Sequence, residues 1–267
     1  MPKIRLVAID LDGTLLQENL TVSPRTIAAL QSAVAKDVVV TIATGRMFAS
    51  AVIFAKQIGL DVPLITYNGA LIQSALSGEV LYHQPIPSPI AKEILTLFQD
   101  KGWYIQAYAD DKLYVDQLNA IAKTYASRVK VEAVAIGKDL YRLAKAPTKL
   151  LGMVGEQQVA SVIDELHRLY PGEIYATSSQ PGYVEIMHAA VNKGAALDFL
   201  AKRFSISQEE VMALGDSLND TDMISFAGWG VAMGNGASAV KAIAQAVTDT
   251  NDNDGVAKAI EKYVLDL

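Results

Sequence analysis

The stretch AIDLDGTLL, Ala8 to Leu16, ends an almost continuously apolar run, Ile4 to Ile9, in two aspartates one residue apart. Asp10 and Asp12 are followed directly by Gly13 and Thr14. A short, unalternating, β-branched run suits a strand covered on both faces, as in a parallel sheet. Ligands of such sheets bind beyond the carboxyl ends of the strands. Two carboxylates about 4 Å apart repel by about 4 kcal/mol at an effective dielectric near 20, so the pair calls for a cation or a proton between them.

Outward from this stretch the same pattern repeats. Val38 to Ala43 and Leu64 to Tyr67 read as further buried strands. Between them Ser23-Pro24 forms an N-cap with proline at the first helical position, and Ile27, Leu30 and Val34 recur at helical spacing. A second helix is expected from near Arg46 to just before Gly59. The rhythm returns late, with strands at Val211 to Leu214, Gly230 to Met233 and Ala246 to Thr248. Helices are expected at Asp220 to Phe226, Ala237 to Gln245 and Gly255 to Val264. Strand and helix in alternation predict a doubly wound, mostly parallel, Rossmann-like α/β sheet.

The middle differs. Pro85, Pro87 and Pro89 punctuate the chain after His83 and read as a linker. A helix from Ile90 to Lys101, a hairpin of Trp103 to Tyr108 with Lys112 to Asp116, and a last strand at Tyr183 to Met187 follow. Residues 84–188 are therefore expected to form an inserted α+β cap, with 1–83 and 189–267 as a discontinuous core. The aromatic residues of the insert are expected mainly in its core.

The chain has 267 residues, 51% of them hydrophobic, enough for one large or two moderate cores. Its formal charge of -6, without Lys/Arg runs, argues against nucleic-acid or anionic-membrane partners. There is no cysteine, which removes disulfides, thiolate metal sites and cysteine nucleophiles. No apolar stretch approaches the ~18 residues of a membrane span, and MPKIRLVAID has too short an apolar run for a signal-peptide core. A cytoplasmic protein is expected; its oligomeric state is not legible.

The polar residues after each expected core strand define one possible site. They are Asp10, Asp12, Gly13 and Thr14; Thr44, Gly45 and Arg46; Asn68 and Gly69; and Gly215, Asp216, Ser217, Asn219 and Asp220. Lys193-Gly194 opens the helix before the last of these strands. All the acidic donors are hard oxygens, which favours Mg²⁺ over zinc. An aspartate beside such an ion is a suitable nucleophile for phosphorus, ionised without an activating base. Asp12 is placed to protonate a leaving oxygen and later to take a proton from water.

DLDGT, ATGR, the lone lysine of NKGAAL and GDSLND, in this order from residue 10 to 220, resemble the four motifs of the haloacid dehalogenase superfamily. TYNGA, VAMGNG and VTDTNDNDGVA resemble its Cof-like sugar-phosphatase branch, whose large α/β cap is inserted after the second motif. The resemblance implies Asp10 as the nucleophile that becomes phosphorylated and Asp12 as the general acid/base. It implies that Thr44, through its hydroxyl, and the Gly45 N–H hold the transferring phosphoryl group. Lys193 would neutralise phosphoryl oxygens and nucleophile. Asp216 would bind Mg²⁺ with Asp10 and the main-chain carbonyl of Asp12. Asp220 would support the metal through water or a hydrogen bond, Asn219 would lie close to Lys193 and the phosphate, and Asn68 would face the substrate. The implied reaction is Mg²⁺-dependent hydrolysis of a small phosphorylated metabolite.

MHAAVNKG departs from the proline-containing turn usual before the lysine, which leaves the local backbone and any role of His188 open. GWGVAMG lacks dinucleotide-fingerprint spacing and reads as tight turns, and GDSLN is no serine-hydrolase elbow because no glycine closes it. Asp222 reads as a first-turn acid favouring its helix dipole. A phosphomutase on the same scaffold, passing the phosphoryl group to another hydroxyl, is the alternative enzyme. A phosphoaspartate receiver shares the acidic cluster, threonine, lysine and Mg²⁺, but is about half this length and uncapped. Segments 82–89 and 187–192 are the expected hinges of a moving cap.

Overall fold

Leu6–Asp10 forms β1 and is buried along its whole length. Its side chains divide between two cores: Val7 and Ile9 enter one, Leu6 and Ala8 the other. That division explains the unalternating sequence, since neither face meets water. The computed structural model describes residues 3–59, 62–178 and 180–266.

The chain divides into two compact units, 1–82 with 192–267, and 83–191. In chain order the first part of unit one holds β1, α1 (Pro24–Val34), β2 (Val39–Ala43), α2 (Phe48–Ile58), β3 (Pro63–Thr66), β4 (Leu71–Ser74) and all but the last residue of β5 (Val80–His83). Unit two holds α3 (Ser88–Asp100), β6 (Tyr104–Ala109), β7 (Lys112–Val115), α4 (Ala120–Val129), β8 (Ala133–Ala135), β9 (Lys149–Met153), α5 (Val159–Leu169), β10 (Ile174–Thr177) and β11 (Tyr183–His188). Unit one resumes with α6 (Lys193–Arg203), β12 (Val211–Gly215), α7 (Thr221–Phe226), β13 (Trp229–Ala232), α8 (Ser238–Ile243), β14 (Ala246–Val247) and α9 (Gly255–Ile260).

The first sheet has the order β14-β13-β12-β1-β2-β3-β4-β5. It is parallel from β14 through β3, and β3 pairs antiparallel with β4. One apolar layer joins it to α1, α2 and α9, the other to α6, α7 and α8. The three-layer α/β architecture expected from the sequence is thus the fold. The antiparallel β4 and the outer β5 went unread, because LIQS and VLYH are short and half polar.

β1 lies between β2 and β12, so successive crossovers leave it in opposite directions and a crevice opens at its carboxyl end. Register levels the strand ends there: Asp10 pairs with Ala43, and Ile9 with Leu214. Thr44 and Asp216 therefore emerge close to Asp10 at one sheet edge.

Two helix starts differ from the sequence reading for reasons tied to this edge. Arg46 stays outside α2 because its N–H donates to Thr44 Oγ1 (3.1 Å) and its carbonyl accepts from the Tyr67 N–H (2.9 Å). Ala237 stays outside α8, its N–H donating to the Asp216 carbonyl (2.8 Å). The closing helix ends as an α-helix at Ile260 and continues as a wider π turn over 261–265. The Ser23 cap is as read, with Ser23 Oγ accepting from the Thr26 N–H at 3.1 Å.

Unit two is a sheet of order β10-β11-β9-β6-β7-β8 with α3 and α5 on its apolar face. Its bounds differ from the expected 84–188 by one residue at the start and three at the end. The opposite sheet face carries a buried ion pair, Lys149 Nζ to Glu185 Oε2 at 2.8 Å. Beside it Tyr104, Gln106, Tyr108 and Tyr125 form a hydrogen-bonded chain.

Candidate active site

At the centre of the edge is Lys193, the first residue of α6, with no exposed surface. Asn192 sets that helix start, its side chain accepting from the Ala195 N–H at 2.7 Å. The ammonium donates to Asp10 Oδ1 (2.5 Å) and to Asp220 Oδ1 (2.6 Å), both buried carboxylates. Asp220 Oδ2 in turn accepts from the Asp216 and Ser217 N–H groups, each at 2.9 Å. Both oxygens of Asp220 are thereby engaged. Its work is to hold the lysine and fold the GDSLND loop back on itself, and it also ends in the cap position before α7.

Asp216 comes next to this group through a different contact, the Thr14 hydroxyl donating to its Oδ1 at 2.9 Å. Close approach of the two loops depends on glycine. A Cβ on Gly13, whose φ is +78°, would lie 2.6 Å from Asp216 Oδ2. Within the GDSLND loop itself, a Cβ on Gly215 would lie 2.5 Å from that of Asp220.

Three carboxylates thus face one ammonium. Asp10, Asp216 and Asp220 each offer an oxygen within 4.8 Å of the others. Burial, reinforced by Asp220, pushes the Asp10 carboxyl well above the ordinary range, against the pull of Lys193. Burial also raises Asp216, opposed by the Thr14 hydrogen bond. Burial works against the Lys193 charge, but Asp10 and Asp220 outweigh it and the ammonium is held more firmly than usual. Asp10 Oδ2 is buried and has no hydrogen-bond partner among the described residues. An orphaned carboxylate oxygen in an excess of anionic, all-oxygen donors fits a small hard divalent cation.

The loops that follow β2, β3 and β12 are joined to one another at the same edge. Thr44 is buried, and its carbonyl accepts from the Asn68 N–H at 2.9 Å. Tyr67 and Asn68 both adopt left-handed backbone, φ 51° and 56°. Such conformations cost about 1–3 kcal/mol each and persist where surrounding bonds over-determine them. Here Tyr67 N–H to Arg46 O, Asn68 N–H to Thr44 O and the Asn219 amide to Asn68 Oδ1 (3.0 Å) hold the turn. Asn68 and Asn219 are therefore neighbours, and Gly45 lies against Asn68, its hypothetical Cβ 3.0 Å from Oδ1.

Asp12 differs from its neighbours. Its side chain is half exposed and is gripped at both oxygens by Arg46, Nε to Oδ2 at 2.7 Å and Nη2 to Oδ1. The sequence places Arg46 at this edge without indicating a partner for it. The arginine of ATGR was the available signal. Thr14 was likewise at the edge without a role, and Asn235, whose side chain donates to Gly13 O at 2.7 Å, was missed.

A family model of haloacid dehalogenase-like hydrolases matches residues 7–260. The chain belongs to the haloacid dehalogenase-like hydrolases. Among its relatives is the 5-amino-6-(5-phospho-D-ribitylamino)uracil phosphatase YitU of Bacillus subtilis, 30% identical over 97% of each chain. A crystal structure from Thermotoga maritima superposes with a TM-score of 0.89 at 32% identity, covering 97% of both chains. The subclass IIB sugar phosphatase BT4131 superposes at 0.81 with 26% identity, over 97% of this chain and 98% of that one. This haloacid dehalogenase-like hydrolase falls with the Cof-like phosphatases, enzymes that act on phosphomonoesters. Among its described residues no helix is long and apolar enough to cross a membrane.

Proposed function

We propose that the chain is a Mg²⁺-dependent phosphatase that hydrolyses small cytoplasmic phosphomonoesters, sugar phosphates or related metabolites, through a phosphoaspartate on Asp10. The observation that carries this reading is the buried Asp10 carboxylate, one oxygen bonded to Lys193 and the other without a partner among the described residues. The substrate class draws on the relatives' names, which specify a phosphoribityl compound and a sugar phosphate.

Asp10, Asp216 and the Asp12 carbonyl would hold the cation, with Asp220 supporting them by fixing the Asp216 loop. When bound, Mg²⁺ supplies charge neutralisation for the phosphoryl oxygens and for the crowded carboxylates. Asp10 attacks phosphorus, forming a P–O bond as the bond to the leaving oxygen breaks. Asp12 gives that oxygen its proton. Water then attacks the phosphoaspartate, Asp12 takes the water proton, and inorganic phosphate leaves with the Asp10 carboxylate restored. Lys193 stays charged throughout and faces the phosphoryl oxygens as charge develops. Thr44, Gly45, Asn68 and Asn219 would orient the phosphoryl group from the opposite rim.

The Arg46 pair bears on the first step. Both Asp12 oxygens are occupied by the guanidinium, so their approach to a leaving oxygen requires that pair to open.

The test is phosphate release from p-nitrophenyl phosphate. Activity is expected only with Mg²⁺, is lost in excess EDTA, and falls by about 10⁴-fold or more in Asp10→Asn. Full activity in EDTA, or in Asp10→Asn, would contradict the reading.

A further inference from the structure

Beyond the groups that meet substrate or cation, one turn holds both loops of the acidic cluster. It follows β13 and spans residues 233–237. Its Met233 N–H donates to Gly215 O (3.0 Å) and its Ala237 N–H to Asp216 O (2.8 Å), so it is fastened to the loop that carries Asp216. From the same turn the Asn235 amide reaches across and donates to Gly13 O at 2.7 Å, on the loop that carries Asp10 and Asp12. A second bond orients that amide: Asn235 Oδ1 accepts from the Asn251 N–H at 3.0 Å. Asn251 itself donates through its side chain to Leu16 O at 2.8 Å, at the far end of the same loop.

These contacts close a ring. It runs from Gly13 O through Asn235 to Ala237, on to the backbone of Asp216, and back from its carboxylate to Thr14, the residue after Gly13. The Thr14 link engages an oxygen of the Asp216 carboxylate, so whatever that carboxylate binds perturbs it. The Asn235 link is made only to backbone groups, Gly13 O and the Asn251 N–H, and engages neither carboxylate.

We infer that Asn235 is a positioning residue that sets the separation of Asp10 from Asp216 and thereby the affinity of the site for its divalent cation. The inference rests on the metal reading above. Mg²⁺ tolerates little departure from octahedral geometry at its short ligand distances, so loops free to drift apart bind it poorly. Partners that hold ligands without touching the metal commonly change its affinity by about 10–100-fold. Asn235 is exposed, so its truncation removes little packing.

The experiment compares the wild-type chain, Asn235→Ala and Asn235→Gln by two Mg²⁺ titrations. One follows the thermal midpoint without substrate; the other follows hydrolysis of p-nitrophenyl phosphate. Asn235→Ala is expected to raise the Mg²⁺ concentration for half effect about tenfold in both titrations. At saturating Mg²⁺ its KM should stay within about twofold of wild type, and the longer amide of Asn235→Gln should recover part of the loss. If wild type responds to Mg²⁺ and Asn235→Ala responds at the same concentrations, the positioning role is wrong while the metal reading stands. If wild type shows no response in either titration, both fall together. Should Asn235→Ala fail to fold, the same comparison is made with Asn235→Gln alone, whose half-effect concentration must exceed that of wild type.

Discussion

Lys193 is the residue on which the buried charges balance. Its ammonium is shared between Asp10 and Asp220 and has no exposed surface. Removing one partner of a buried ion pair leaves an uncompensated charge and costs about 3–5 kcal/mol. Lys193→Met should therefore destabilise the metal-free protein by about that much at neutral pH, read by urea unfolding. The sign of its pH dependence follows from Asp10. A carboxyl whose folded pKa is raised contributes stability below the ordinary carboxylate range and loses it as pH rises through the raised value. Without the ammonium that upward shift grows. The deficit of Lys193→Met should thus be larger near pH 8 than near pH 5, and a deficit independent of pH would contradict the charge balance described here. At this scale the sequence was informative about identity and poor about partners. It placed Asp10, Lys193, Asp216 and Asp220 at one edge, where their side chains do lie together, but Arg46 gripping Asp12 and Asn235 reaching Gly13 O depend on approaches across 34 and 222 residues of chain.

Elements deliver these residues, and their ends matter more than their middles. Two N-caps of similar chemistry make a controlled comparison. Ser23 caps α1, on the sheet face opposite α6, whereas Asn192 caps α6 one residue before Lys193. Loss of either cap costs about 1 kcal/mol. Ser23→Ala should lower the melting temperature with kcat unchanged, and Asn192→Ala should lower both, because the first turn of α6 aims the lysine. Equal kcat in the two variants would show that the helix start does not position Lys193. Element type was read well where apolar runs were continuous, as in β1, β2 and β12. It was read poorly where long-range hydrogen bonds took backbone groups out of regular structure. Arg46 and Ala237 fall outside their helices because their N–H groups serve Thr44 and Asp216. The antiparallel β4 and the edge β5 lacked the apolar continuity that identifies the strands between them and β14.

At the level of the whole molecule, a doubly wound sheet brings segments from residues 10 to 251 to one edge, while a second sheet unit is inserted between β5 and α6. Order of motifs along the chain made the first part legible. The polar face of the second unit was not, since Lys149 and Glu185 come together only through the pairing of β9 with β11. A divalent ion relieving the crowding of Asp10 and Asp216 is the central requirement of the proposed function. Its most direct test is the anomalous scattering of a crystal soaked in Mn²⁺, a hard, oxygen-preferring stand-in for Mg²⁺. A peak within about 2.0–2.3 Å of one carboxylate oxygen from each of Asp10 and Asp216 is expected. A soaked crystal with both carboxylates ordered and no peak between them would contradict the account.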